Sequence, residues 1–304
     1  MIQVENLTKT FGDFTALENM SCTIPKGCIY GMVGSNGAGK STFLRILSGI
    51  YRADSGRVTL DGEPVYENPA AKSRMVFVPD DLFFLPNASI KRMMELYASI
   101  YPRFDRERCG MLTEQFKLPT NKPVQNFSKG MKRQAATLLA LASRPDYILF
   151  DETFDGLDPV MRGFVRSLIC NDVAEYQATA IVTSHSLRDL EDTCDQLVLL
   201  HRGGVVLQSD IQNLKSEVFK VQVAYADEYD RSRFTGMDIV SFEKTGSVSS
   251  LILRGDRDAV MQTLRSYNPM LLDILPLTLE EVFTCEMQTL GYDFRAVLEE
   301  IGRE

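Results

Sequence analysis

The chain has 304 residues, 44% of them apolar and 24% charged, an ordinary globular composition that argues against wholesale disorder. A formal charge of −8 opposes a role in coating nucleic acid or anionic lipid. No run approaches the roughly 20 apolar residues of a membrane span, and Met-Ile-Gln-Val-Glu is not a signal peptide, so a soluble, cytosolic protein is expected.

Short strands are predicted at residues 2–7, 14–24 and 28–33. Residues 57–60 and 65–66 flank Asp61-Gly62, a dipeptide that favours a tight hairpin. Helical spacing sets in after Lys40, with Phe43, Leu44 and Leu47 on one side. It returns over residues 88–101, where Ile90, Met93, Met94 and Tyr97 share a face, and again over 128–142. The apolar runs at 147–150 and 180–183 suit buried parallel strands, with helices at 158–175 and 187–194 between and after them. Strands alternating with helices predict an α/β fold with a mostly parallel sheet. After residue 214 the pattern changes to a hairpin (239–243 and 250–254) around Thr245-Gly246-Ser247, a helix at 258–267 and a strand at 271–275. The charge changes as well. Residues 1–214 carry 23 Lys and Arg against 25 Asp and Glu, whereas residues 215–304 carry 10 against 16. A domain at 1–214 and a small α+β domain at 215–304 are therefore expected. The six cysteines show no C-x-x-C spacing and the only histidines are His185 and His201, so zinc is not expected and the thiols read as buried and reduced.

Gly34, Ser35, Asn36, Gly37, Ala38, Gly39, Lys40, Ser41 and Thr42 fit G-x-x-x-x-G-K-[ST], after an apolar run and before a helical pattern. Glycines let backbone N–H groups point at phosphate oxygens, and the helix start adds its positive end. Lys40 is then expected on the β- and γ-phosphates and Ser41 on Mg²⁺. The strand at 147–150 ends in Asp151 and Glu152, carboxylates that are costly at a buried edge unless a cation or water uses them. Asp151 suits the metal shell, and Glu152 suits the general base on the attacking water.

These residues, in this order, resemble the nucleotide-binding subunit of an ABC transporter across residues 1–214. The resemblance implies a P-loop NTPase of the ABC ATPase type, with a mixed sheet core, an antiparallel β subdomain and a helical subdomain over about 88–145. It implies ATP and Mg²⁺ as ligands. Phe11 matches the aromatic that stacks on adenine. Ser128, Lys129 and Gly130 stand in the signature motif that serves ATP bound by the opposite subunit. Residues Asp155 to Asp158 resemble the loop that crosses the dimer interface, and Asp158 counts among the nucleotide contacts. His185, after Thr183-Ser184, resembles the switch histidine on the γ-phosphate. Catalysis then falls to Glu152, His185 and Lys40, and metal binding to Ser41, Asp151 and Asp80. Four departures stand out: Lys129 for glycine, Met131 for glutamine, Asp80 at the glutamine-loop position, and Thr153 for proline. Leu279-Glu280-Glu281-Val282-Phe283 resembles a segment near the end of ATPase subunits of bacterial drug and peptide exporters. The expected partners are a second ATP-binding subunit, identical or different, and an integral membrane permease facing the 88–101 helix and the Asp80 loop. That pairing would place the chain on the inner face of the cell membrane. The competing reading is a soluble ABC ATPase acting on DNA or ribosomes. It suits the sequence less well, because there is one phosphate loop, no long heptad run and an acidic tail.

Overall fold

The computed structural model describes residues 1–211 and 218–289, with side chains as far as Thr284. The chain divides into two compact units, Met1–Gln208 and Ser209 onward. In the first unit, β1 (Ile2–Phe11), β2 (Phe14–Ile24), β4 (Ser55–Leu60) and β5 (Glu63–Pro64) form an antiparallel sheet in the order β2-β1-β4-β5. Along β1 the buried side chains run Ile2, Val4 and then Leu7, a break in the two-residue period. The cause is a register shift between Val4 and Leu7, with Asn6 at φ +49°. A bulge there returns Leu7 to the inner face. The β4–β5 hairpin differs from expectation at its return strand. Asp61 and Gly62 both have positive φ and Leu60 pairs with Glu63, so a two-residue turn starts β5 at Glu63 rather than 65.

The second sheet contains β3 (Ile29–Val33), β6 (Met75–Val78), β7 (Tyr147–Phe150), β8 (Thr179–Ser184), β9 (Gln196–His201) and β10 (Gly204–Asp210), ordered β10-β9-β3-β8-β7-β6. β3 runs parallel to β8 and β9, and β7 runs parallel to β6 and β8. Every residue of β3, β7 and β8 is buried, which is why their centres read as apolar runs. Around the sheets lie α1 (Lys40–Leu47), α2 (Pro69–Lys72), α3 (Ile90–Ile100), α4 (Arg106–Gln115), α5 (Lys129–Ala142), α6 (Pro159–Tyr176) and α7 (Leu187–Glu191). One core joins Ile2, Leu17 and Ile24 of the antiparallel sheet to Tyr30 and Met32 of β3 and to Phe43, Leu44 and Leu47 of α1. α7 is shorter than the expected 187–194, because Asp192 ends the helix and the Thr193 and Cys194 N–H groups turn back to the Leu190 carbonyl. α4 is tied to α6 by a buried ion pair, Arg108 with Asp172. Burial pushes the Asp172 carboxyl up, against the pull of Arg108.

In the second unit, β11 (Val218–Ala224), β12 (Asp238–Thr245), β13 (Val248–Arg254) and β14 (Leu271–Leu275) form an antiparallel sheet in the order β12-β13-β11-β14. α8 (Arg257–Ser266) and α9 (Leu279–Thr289) belong to the same unit. Val221, Val223, Leu251 and Leu253 pack with Met261 and Leu264 of α8 in a core of its own. α9 starts in a capping box. The Thr278 hydroxyl accepts from the Glu281 N–H at 3.3 Å, and Glu281 Oε2 accepts from the Thr278 N–H at 3.0 Å. Leu279, Val282 and Phe283 are buried. The thiols of Cys22, Cys28, Cys109, Cys170 and Cys194 are free, and the Cys285 side chain lies outside the described residues. Burial pushes the Cys22 thiol up to about 12 and those of Cys28 and Cys109 to about 11.

Candidate active site

The parallel strands β3, β7 and β8 are neighbours in one sheet, so their carboxyl ends deliver Gly34, Asp151 and His185 to one edge. The segment after β3 curls back on itself, with the Ala38 N–H donating to the Ser35 carbonyl at 3.1 Å. Gly39 caps α1 at φ +106°, and a Cβ on it would lie 2.5 Å from the Ala16 carbonyl oxygen. Only glycine fits there. Lys40 opens the helix and is buried. Its ammonium donates to the carbonyls of Gly34 (2.6 Å) and Ser35 (3.3 Å) and lies 3.4 Å from Glu152 Oε1. Ser41 and Thr42 follow in the first turn of α1.

At the end of β7 the Asp151 carboxylate is fully buried. Its Oδ1 accepts from the Thr183 hydroxyl at 2.7 Å, and its Oδ2 has no partner. An orphaned buried carboxylate oxygen is costly and suits a divalent cation or its water shell. Among the described residues no group of three or more His, Cys, Asp or Glu could hold a metal ion. The donor set fits Mg²⁺, which takes one or two protein ligands and completes its shell with water and phosphate. Glu152 stands at φ +49°, a left-handed conformation that a non-glycine residue adopts at a cost. Its N–H donates to Thr183 Oγ1 at 3.1 Å, and its Oε2 lies 2.9 Å from His185 Nδ1 and accepts from the His185 N–H at 3.3 Å. Lys40, Glu152 and His185 thus converge, with Asp151 bound to the same threonine hydroxyl.

The Ser128 hydroxyl caps α5, accepting from the Met131 N–H at 3.2 Å. Lys129 Nζ pairs with Asp155 Oδ2 at 2.6 Å, and that bond is the leading cause that holds the Asp155 carboxyl below its usual range. A Cβ on Gly130 would lie 3.0 Å from the Gly156 carbonyl oxygen. The start of α5 is therefore latched to the 155–158 loop of its own chain. Asp158 caps α6, accepting from the N–H groups of Val160 and Met161. Phe11, at the end of β1, meets Tyr51 edge-on at 5.4 Å and keeps an exposed face. Asp80 accepts from Arg133 Nη2 at 2.7 Å.

The ABC transporter family pattern matches residues 17–155. The chain is 31% identical over 283 residues to the ABC transporter ATP-binding protein YtrB of Bacillus subtilis, covering 93% of this chain and 97% of that one. The chain belongs to the ABC transporter ATP-binding proteins. This ABC protein is an ATPase of that family. It is also 28% identical to the lantibiotic transport ATP-binding protein SrtF of Streptococcus pyogenes, over 74% of this chain and 98% of that one. Its fold matches the dimeric ATP-binding cassette MJ0796 bound to ADP and Pi, at TM-score 0.62 and 22% identity over 69% of this chain and 99% of that one.

Two residues that bond to the Asp151–Glu152 peptide group escaped the sequence reading. Thr183, which holds both Asp151 and the Glu152 N–H, sits 31 positions beyond Glu152, and its hydroxyl is one of three in β8. Arg133 lies in a run, Lys129 to Arg133, that reads as a solvated helix face, yet it is buried. Spacing was the available signal for Arg133. Four positions before the buried Thr137, it falls on the same face of α5.

Proposed function

We propose that residues 1–214 bind ATP with Phe11 beside the adenine and Gly34 to Thr42 around the phosphates, and hydrolyse it to drive a separate membrane permease. The observation that carries this reading is the convergence of Lys40, Glu152 and His185 beside the buried Asp151. Lys40 neutralises phosphate charge, Glu152 takes the proton of the attacking water, and His185 orients Glu152 and faces the γ-phosphate. Mg²⁺, held by Ser41 and Asp151 with Asp80 toward its water shell, would neutralise charge on the phosphate oxygens. Ser128, Lys129, Gly130 and Asp158 serve ATP on a second ATP-binding subunit. The dimeric cassette with ADP and Pi supports this arrangement.

The permease docks on a groove of 530 Å³ whose walls include Phe77, Pro79, Phe83, Phe84, Tyr97 and Tyr101. Phe83 is 78% exposed there, a large ring in water that a partner would cover. Among the described residues no helix is long and apolar enough to cross a membrane, so the chain reaches the inner face of the cell membrane through that partner. Export of drugs, peptides or lipids is favoured by the likeness to the lantibiotic transport protein. Residues 215–304 form an accessory domain for dimer or regulatory contacts. Glu152→Gln tests the site. It should bind ATP as the parent does and lose on the order of 10²–10⁴-fold in turnover. Undiminished turnover removes Glu152 from the base role.

A further inference from the structure

We propose that Arg133 is a positioning residue of the ATPase reaction, through which the loop after β6 governs the carboxylate edge of β7. The inference rests on the reading that Asp151 and Glu152 act on ATP. The Arg133 guanidinium is 1% exposed. Its Nη2 donates to Asp80 Oδ1 at 2.7 Å, while Nη1 donates to the carbonyls of Pro79 (3.1 Å) and Asp151 (3.4 Å). A buried guanidinium must keep a counter-charge, and since its Nε has no acceptor, the bonds of Nη1 and Nη2 are what hold it. Asp80 is the carboxylate in ion-pair contact with it. The position of Asp80 and that of Arg133 are therefore tied.

The third contact gives the link its consequence. Arg133 grips the carbonyl of the Asp151–Glu152 peptide group, and the Thr183 hydroxyl takes the N–H of the same group. That peptide is held from both sides, immediately before the left-handed turn that aims Glu152. Asp80 is half-exposed, and its neighbour Asp81 lines the groove beside Phe83. A partner pressing on that loop moves Asp80, the guanidinium follows, and the grip on the peptide tightens or loosens. Arg133 also lies on α5 five residues after Ser128, so the same movement reaches the signature end of the helix.

The test uses the full chain, with turnover, nucleotide affinity, Mg²⁺ dependence and melting temperature measured for each variant. Arg133→Gln and Asp80→Asn should each lower kcat on the order of 10- to 100-fold at unchanged ATP affinity, the scale of a small misplacement of a catalytic group. The double variant should fall no further than the worse single one, because both changes cut one link. Arg133→Lys should recover part of the loss by keeping the charge at Asp80. Parental turnover in Arg133→Gln overturns the inference. So do losses that multiply in the double variant with a shifted Mg²⁺ requirement, which would assign Asp80 to the metal shell alone. If Arg133→Gln does not fold, the half-exposed Asp80→Asn decides: a lowered kcat at an unchanged Mg²⁺ requirement supports the link, while parental kcat, or a loss with a shifted Mg²⁺ requirement, overturns it. A parent chain without ATP turnover would instead sink the reading of the site itself.

Discussion

Thr183 holds two groups with one hydroxyl, donating to Asp151 Oδ1 and accepting from the Glu152 N–H. Thr183→Val keeps the shape and removes both bonds. It leaves a buried carboxylate oxygen and an N–H without partners, each costing about 1–3 kcal/mol. A lower melting temperature and a kcat reduced on the order of tenfold or more are expected; parental values of both would dismiss the role. The loop motif was legible because it is contiguous: Gly34, Gly39 and Lys40 lie within seven residues of chain. Thr183 and Arg133 were not, because each acts on residues far along the chain, and a charge or hydroxyl in sequence does not reveal what it faces. Thr153, at the family's proline position, buries a hydroxyl without a partner, and nothing in the structure explains it.

At the scale of elements, α4 and α6 meet through the buried Arg108–Asp172 pair, with the Tyr176 ring 3.8 Å from the Arg144 guanidinium. Removing one partner strands the other charge in the interior. Arg108→Ala should therefore cost about 3–5 kcal/mol, whereas an apolar pair such as Arg108→Met with Asp172→Leu should cost far less. Equal losses in the two variants, read by denaturant unfolding, would show that packing rather than charge governs the contact. The strands β3, β7 and β8 were readable because burial on both faces makes their centres apolar. α4 was missed because its Arg-Glu-Arg start and central Gly110 hide the short buried set of Cys109 and Leu112. β11 alternates buried and half-buried residues across its centre, a pattern present in Val218 to Ala224 and passed over.

The whole molecule is two units, each with its own core, and the excess acid lies beyond residue 214. A chain ending at residue 214 should fold and bind ATP with parental affinity while losing dimer or partner contacts. Lost ATP affinity in a folded fragment would give the acidic part a share in the nucleotide site. Within the first unit, Gly39 of the phosphate loop and Gly203 of the β9–β10 turn both press against the Ala16 carbonyl of β2, where any side chain would clash. β2 pairs with β1, which ends in Phe11. The aromatic platform and the phosphate cradle are thereby fastened to one another by backbone, like the jaws of a calliper locked at one opening. For a nucleotide bound as proposed, base and phosphates are gauged together at a fixed separation. Discrimination between di- and triphosphate then falls to the far end of the gauge, where Glu152 and His185 stand.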